Sequence, residues 1–444
     1  MSSASKTVEV DQPTTPRRVV ITGIGCVTPI GTSADGLWKG LKRRESAVRK
    51  IRRFDPTEFR SHIAAEIDDF QAADYMDRTR VKRMDRFAHF SVASARLALE
   101  DAGLDPSSLD PDRVAVQVGS ALGGITYGEA QYQRYAAEGV RAVNPLLALS
   151  VFCGSGSCNI SIEFGFTGAN STNTMSCASG AIAIGEAWKL IRHGEADVAL
   201  AGGVEAPLSP LSYGAFAILR AMSTRNEDPG TASRPFDAAR DGFVMGEGGA
   251  ILVLEEYEAA RARGAHIYAE LCGFGTTIDA FHMTAPRPDG AQAVRAMRRA
   301  LSTAGIQPTD VDYVNAHASS TPLNDSTESR VIREVFGDHT SSLAVSGTKG
   351  YHAHSLGATG AIEAAITALS IRNGWIAPTL NLETADPECD IPITSGAGDD
   401  RMVRYAISNS FGFGGINAAL VFGLAEEENV PRNKVGTKGE VLHY

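Results

Sequence analysis

Cysteine is scarce in this sequence, and its positions follow no regular framework. Six cysteines occur in 444 residues, without the paired spacing of a disulfide scaffold. Cys153 and Cys158 have no second cysteine or histidine pair that would complete a zinc site. We therefore expect reduced thiols and a cytoplasmic protein.

Long apolar runs and an excess of basic charge are also missing. We expect no membrane-spanning segment and no signal peptide, because no apolar stretch has the required length and flanks. The net charge of −10 argues against nucleic acid as the main partner. A hydrophobic share of 43% and a charged share of 21% are typical of a globular protein with a large core.

The most informative stretch surrounds Cys177. Small and polar residues lead to it from Asn173, and apolar residues then recur at helical spacing as far as His193. This pattern predicts a strand, a sharp turn with Cys177 at its tip, and a helix. Unpaired N–H groups and the helix dipole at such a position favour the thiolate, which indicates a nucleophile. The alternative is an ordinary buried cysteine.

Strand and loop signals occur twice in the same order, in residues 114–203 and again in residues 311–415. This repetition predicts a duplicated α/β fold, with parallel strands covered by helices and a site at matching strand ends. We expect a first half at 17–265, a second half at 266–424, and flexible tails at 1–16 and 425–444. Residues 72–102 are predicted to be largely helical.

Two histidines of the second half lie in loops that follow predicted strands. They are His317, after the strand at 311–314, and His354, after the strand at 343–346. A single histidine is more often structural than catalytic. Two of them, at strand ends that match the position of Cys177, indicate a shared catalytic site.

These motifs resemble those of the β-ketoacyl-acyl-carrier-protein synthases of the thiolase-like superfamily, and most closely the elongating type II synthases. The resemblance extends from Arg18 to Leu424. It follows the family's order through CASG at 177–180, AGG at 201–203, STRN at 223–226, SRPFD at 233–237, RDGF at 240–243 and NSFGFGG at 409–415. It implies a duplicated thiolase-like α/β fold, layered αβαβα, with mixed and mainly parallel sheets.

The resemblance also implies an activity, the extension of a carrier-bound acyl chain by a malonyl unit that loses CO2. Cys177 would hold the acyl chain as a thioester. His317 and His354 would donate hydrogen bonds to the enolate oxygen formed on decarboxylation. The backbone N–H groups of Cys177 and Phe413 would form the oxyanion hole of acyl transfer, and Phe413 would also act as a gate.

Further roles come from the same resemblance. Lys349 and Glu363 would support His354. The implied substrate-binding residues are Ser319, Thr321, Phe411, Phe413, Leu122, Met175 and Thr284, the first two as partners of the phosphopantetheine arm. No metal or organic cofactor is implied, because the substrates are carried on the phosphopantetheine of acyl carrier protein.

The implied partners are acyl carrier protein and a second subunit. The candidate docking surface for the acidic carrier protein consists of Arg78, Arg80, Lys82, Arg83 and Arg220. The alternative for the basic run at 78–83 is a solvated helix face. A homodimer is implied, paired through the first half, and pairing with a related ketosynthase-like subunit is the alternative.

Four positions depart from the family pattern, namely Ala318, Ala353, Ala121 and Met175. They remove no catalytic group, so we expect activity, with a reshaped acyl pocket or a narrower pantetheine channel. Three alternatives stay open. They are a specialised polyketide or polyene ketosynthase, a non-catalytic chain-length partner subunit, and a cysteine hydrolase or non-decarboxylating acyltransferase.

Overall fold

The computed structural model describes residues 16–425. The tails expected at 1–16 and 425–444 lie outside these residues, apart from Pro16 and Ala425. The strands are β1 Val19–Thr28, β2 Gly31–Thr32, β3 Arg49–Lys50, β4 Ile63–Ala65, β5 Val114–Gly119, β6 Asn170–Asn173, β7 Val198–Glu205, β8 Met245–Gly246, β9 Gly248–Glu256, β10 Ala269–Ile278, β11 Tyr313–Asn315, β12 Ala344–Ser346, β13 Trp375–Ile376, β14 Asp399–Asp400, β15 Tyr405–Gly412 and β16 Ile416–Gly423.

The α-helices are α1 Ser33–Arg43, α2 Arg78–Val81, α3 Arg86–Asp101, α4 Ile125–Glu138, α5 Leu147–Val151, α6 Ser155–Phe164, α7 Ser179–Arg192, α8 Pro210–Ile218, α9 Tyr257–Ala262, α10 Ala291–Ala304, α11 Pro322–Phe336, α12 Lys349–His352 and α13 Thr359–Asn373. Among the helices of residues 16–425, none combines the length and the apolar composition that crossing a bilayer requires.

The main sheet has the strand order β12-β11-β15-β16-β10-β1-β9-β7-β5-β6. In the first half, β6, β5 and β7 pair in parallel, and β9 and β1 follow in antiparallel pairing. The second half repeats this plan with β12, β11 and β15, followed by β16 and β10. The halves join where Val20 and Ile21 of β1 pair with Glu270 and Ala269 of β10. The predicted duplication is confirmed.

Parallel pairing is less extensive than the sequence suggested. The sheet is mixed, as expected, but its parallel pairs are confined to the outer strands of each half. The inner strands are antiparallel, and β15 returns to β16 through only a few residues after Gly412. So short a return joins antiparallel neighbours, whereas a parallel pair needs a long crossover.

Helices α7 and α13 pack against each other between the two halves of the sheet, while α3 and α10 lie on strands of the first and second half respectively. The α13 helix is buried from Thr359 to Ile371, as expected for a helix without a polar face. The first turns of α7 and α13 lie close together, since a Cβ at Gly180 would come within 2.9 Å of Ala361 N. The packing of α7 on α13 therefore places the N-terminal ends of the two helices next to each other.

Residues 72–102 are helical only in part. They form a 3-10 turn at Ala72–Asp74, then α2, then α3. The Asp77 side chain accepts a hydrogen bond from the Thr79 N–H in the first turn of α2, and the Asp85 side chain accepts one from the Arg86 N–H at the start of α3. Each such cap begins a new helix, which the apolar periodicity alone did not reveal.

Candidate active site

Cys177 lies in a tight turn between β6 and α7. The strand ends at Asn173, residues Ser176–Ala178 form one 3-10 turn, and α7 begins at Ser179. This is the predicted strand, turn and helix. Ser176 has a φ of 50°, which turns the chain sharply just before the nucleophile. The Cys177 side chain is 6% exposed.

Loops of the second half bring both histidines to this thiol. His317 follows β11, and His354 follows β12 and the short helix α12. His354 Nε2 lies 3.1 Å from Cys177 Sγ. The rings of His317 and His354 meet edge to face, with centroids 5.4 Å apart. The cysteine and the two histidines form one buried cluster.

Lys349 supports a different histidine from the one expected. Its Nζ lies 3.4 Å from His317 Nδ1 and 2.5 Å from Glu363 Oε1, and it also donates to the His317 carbonyl. The expectation that Lys349 and Glu363 support His354 was therefore wrong. The chain turns at Ala353, between Lys349 and His354, so proximity in sequence does not place the two side chains together.

Thr359 is the partner of His354 that sequence reasoning missed. Its Oγ1 lies 2.9 Å from His354 Nδ1 and 3.3 Å from Ser355 Oγ. A hydroxyl both donates and accepts, so Thr359 is compatible with either tautomer of the His354 ring. An ammonium group only donates, so Lys349 favours the His317 tautomer with its proton on Nε2.

Burial determines the protonation of the cluster. It is the main cause that lowers the pKa of His317 and of His354 well below the ordinary value, and the charge of Lys349 adds to it. Both rings are therefore neutral near pH 7. Burial also raises the pKa of Cys177. The direction is opposite to the expected preference for thiolate, because loss of solvation outweighs the hydrogen bonds from Ser176 and Phe413, and it favours a thiol as the resting form.

A cavity of about 430 Å³ reaches the thiol. The expected site residues in its wall are Cys177, His317, His354, Ser319, Thr321, Phe411, Phe413, Thr284 and Arg220. The hydroxyl oxygens of Ser319 and Thr321 are 2.8 Å apart. This side of the wall therefore offers paired hydrogen-bonding groups to an entering chain, beside the histidines.

The loop after β15 closes another side of the cavity. The Phe413 ring stacks on Phe216, with centroids 6.3 Å apart, and the Phe413 backbone N–H faces the Cys177 thiol. A Cβ at Gly412 would lie 3.2 Å from Cys177 N, so glycine permits this close approach of the loop. Backbone N–H donors beside the sulfur are the groups that an oxyanion hole requires.

Two expected substrate-binding residues lie outside this cavity. Leu122 packs in the apolar cluster that contains Cys177. Met175 is 45% exposed and follows the partly exposed edge strand β6. It therefore does not line the cavity of its own chain, and the expectation for Met175 fails for a single subunit.

Comparison with known proteins now identifies the family. The model of the beta-ketoacyl synthase N-terminal domain matches residues 16–260, and that of the C-terminal domain matches residues 268–383. The chain belongs to the beta-ketoacyl synthase family. A relative from Synechocystis sp., 3-oxoacyl-[acyl-carrier-protein] synthase 2, is 44% identical over 406 residues, which cover 91% of this chain and 98% of the relative.

Two solved ketosynthases share the fold. One is a type II polyketide ketosynthase in complex with its acyl carrier protein and bound to the hexaketide, with a TM-score of 0.86 and 34% identity. The other is the ishigamide ketosynthase/chain length factor, with a TM-score of 0.87 and 35% identity. Each alignment covers 93% of this chain and 100% of the other.

In this beta-ketoacyl synthase, two of the four positions expected to reshape the site, Ala353 and Ala318, have strained backbones. Ala353 has φ 60° and ψ −165°, a region that is almost exclusive to glycine. Ala318 has a φ of 44°. Both side chains are fully buried, and neither lines the cavity. Their methyl groups therefore add strain beside His354 and His317 and do not narrow the channel.

A buried acid behind His317 also escaped the sequence analysis. Glu328 accepts hydrogen bonds from the backbone N–H groups of His317 and Ala318, each at 2.8 Å, and from the Asn409 side chain at 3.1 Å. Burial raises the pKa of Glu328 to about 7. The available signal was an acidic residue on the buried face of α11. Its backbone partners could not be read from the sequence.

The expected docking residues divide into two groups. Arg78, Lys82 and Arg83 are exposed, and Arg80 pairs with Glu163. None of these residues lines the cavity, whereas exposed Arg220 lies in its wall. Of these five residues, Arg220 alone is both exposed and part of the cavity wall of its own chain.

Proposed function

We propose that this ketosynthase transfers an acyl group from acyl carrier protein to Cys177 and condenses it with malonyl-acyl-carrier protein. The products are CO2 and β-ketoacyl-acyl-carrier protein. The proposal rests on the contact of His354 Nε2 with Cys177 Sγ at 3.1 Å, inside a cluster with a second neutral histidine. Identity of 44% to a 3-oxoacyl-[acyl-carrier-protein] synthase 2 supports it.

In the first step, the Cys177 sulfur bonds to the acyl carbonyl carbon as the bond from that carbon to the pantetheine sulfur breaks. The resting thiol must lose its proton, and His354 Nε2 is positioned to accept it and pass it to the departing pantetheine sulfur. The N–H groups of Cys177 and Phe413 would meet the charge on the carbonyl oxygen.

In the second step, loss of CO2 leaves the electron pair of the broken carbon–carbon bond as an enolate. The Nε2–H groups of His317 and His354 would donate to the enolate oxygen. Thr359 lets His354 change from proton acceptor to donor. The enolate carbon then bonds to the acyl carbon as the bond from that carbon to the Cys177 sulfur breaks. Cys177 leaves as thiolate and takes up one proton from water. These steps need no metal or organic cofactor, because N–H donors meet the charge on each oxygen.

The proposed partners are acyl carrier protein, met at the entrance by Arg220, and a second copy of this chain. The dimer is supported by a surface of the first half. This surface runs from α4 over α5 and α6 to the edge strand β6, through successive contacts between these elements, and carries the exposed apolar side chains Tyr132, Tyr135, Leu149, Phe152, Ile162 and Met175. Exposed apolar side chains beside an unpaired strand edge are typical of a protein interface.

Intact-mass measurement on acyl-carrier protein and malonyl-carrier protein tests the function. We expect the wild type to gain the acyl mass on Cys177 and to form the β-ketoacyl product. Product should be lost in Cys177→Ala and His317→Ala, whereas Cys153→Ala should still form it. Acylation of the wild type without condensation would indicate a transferase or a missing partner subunit. No acylation from any carrier protein would refute the proposal, and the chain-length profile would separate fatty-acid from polyketide roles.

A further inference from the structure

Glu205 lies at the end of β7 and is fully buried. Its two oxygens accept four hydrogen bonds. Oε1 accepts from Ser120 Oγ and from Leu122 N, each at 3.1 Å. Oε2 accepts from Ala121 N at 2.6 Å and from Gly357 N at 3.0 Å. All four donor groups thus converge on one carboxyl group.

These donors come from both halves of the fold. Ser120 to Leu122 follow β5, whereas Gly357 lies in the turn between His354 and α13. A Cβ at Gly357 would lie 2.7 Å from Glu205 Oε2 and 2.4 Å from Ala121 N. The two loops therefore touch at the Glu205 carboxyl group, with no room for a larger residue at Gly357.

The first of these loops contributes Leu122 to an apolar cluster near the nucleophile. Leu122 and Leu356 pack in the apolar cluster that contains Cys177, together with Phe243. An acyl chain on Cys177 would enter this apolar region. We propose that Glu205 is a positioning residue that holds Leu122 in this apolar cluster beside the acyl chain on Cys177, and so sets which chain lengths are accepted. The inference rests on the proposed function.

Replacing Glu205 with glutamine separates the hydrogen bonds at its Oε2 atom from those at its Oε1 atom. Its amide oxygen matches the Oε2 side, where two backbone N–H groups, of Ala121 and Gly357, require an acceptor. The amide nitrogen then occupies the Oε1 side, where the Ser120 hydroxyl can rotate and accept. Leu122 N–H has no such freedom and loses its acceptor. Glu205→Gln should therefore release Leu122 selectively and keep the two halves joined.

The experiment measures kcat/KM for acyl-carrier proteins of increasing chain length. We expect Glu205→Gln to change the ratio of long-chain to short-chain kcat/KM by roughly tenfold. Glu255→Gln is the matched control. Glu255 is a buried acid of β9 that pairs with Arg263 at the end of α9, and it lies opposite Val198, at the other end of β7 from Glu205. It should lower stability and leave the ratio unchanged.

A double-mutant cycle separates positioning from general weakening. If Glu205 acts through Leu122, then Glu205→Gln should not change the ratio further in a Leu122→Ala background. An unchanged chain-length ratio in Glu205→Gln would overturn the inference, and so would effects of Glu205→Gln and Leu122→Ala on the ratio that simply add in the double variant.

If Glu205→Gln does not fold, Ser120→Ala is the second variant, because it removes one partner of Glu205 Oε1. It should shift the ratio in the same direction, and no shift would overturn the inference. A wild type without condensing activity would instead refute the proposed function.

Discussion

His354 Nε2 lies 3.1 Å from Cys177 Sγ, and the two groups form a neutral imidazole–thiol pair. Burial lowers the pKa of the ring and raises that of the thiol, so a pre-formed imidazolium–thiolate pair is disfavoured. Charge develops only when an acyl carbonyl is present and the oxyanion hole is in use. The unloaded enzyme should therefore react slowly with general alkylating agents.

The first prediction concerns this slow reaction. Because the pKa of Cys177 is raised, its alkylation rate should keep rising with pH through 9 and show no plateau near neutrality. Iodoacetamide labelling at several pH values, followed by peptide mass analysis, measures the rate for Cys177 separately. Labelling of that peptide in Cys177→Ala gives the background. A plateau below pH 7 would show that the resting pair is ionic.

The second prediction concerns the buried pair of Lys349 and Glu363. Lys349→Met leaves an unpaired buried carboxyl group, which should cost about 3–5 kcal/mol of unfolding free energy. It also removes the donor to His317 Nδ1, so decarboxylation of malonyl-carrier protein should fall by about 100-fold or more. Acylation of Cys177 should fall much less, because the partner of His354 is Thr359.

The double variant Lys349→Met, Glu363→Leu separates stability from catalysis. Replacing both charges should recover most of the lost unfolding free energy, since no buried charge is left alone. Decarboxylation should stay low. Denaturant unfolding and CO2 release measure the two effects on the same samples. Recovery of decarboxylation along with stability would mean that Lys349 has only a structural role.

The sequence predicts the three central residues of the site but not the residues that hold them in place. Cys177, His317 and His354 could be predicted because nucleophile and donors lie where strands end, and strand ends of a duplicated fold meet. Thr359, Glu328 and Glu205 could not, because their partners are ring nitrogens and backbone N–H groups that only the tertiary fold brings near. Lys349 was assigned to the wrong histidine because that role was taken from the family resemblance, and the residues alone did not show the chain reversal at Ala353 that separates the Lys349 and His354 side chains.

The third prediction concerns the strained backbone of Ala353 at the chain reversal before His354. Ala353→Gly should raise the unfolding free energy by about 1 kcal/mol, because relief of about 1–3 kcal/mol of backbone strain exceeds the entropy cost of glycine. Ala93→Gly, the same chemical change inside α3, should instead destabilise by about 1 kcal/mol. Urea unfolding of both variants tests the opposite signs. A loss of stability in Ala353→Gly would refute the strained conformation.

The fourth prediction concerns self-association through the surface around β6. Leu149 is 62% exposed in a single chain, and its neighbour Phe152 is 47% exposed. If a second copy covers them, Leu149→Arg places an unpaired charge in an apolar interface and should weaken the dimer by at least about tenfold. Met402→Arg is the matched control, because Met402 is 64% exposed on the second half and should leave the mass unchanged. Light scattering across a dilution series measures the mass of each variant. A wild-type chain that stays monomeric at micromolar concentration would show that this apolar surface serves another partner, such as a related ketosynthase-like subunit.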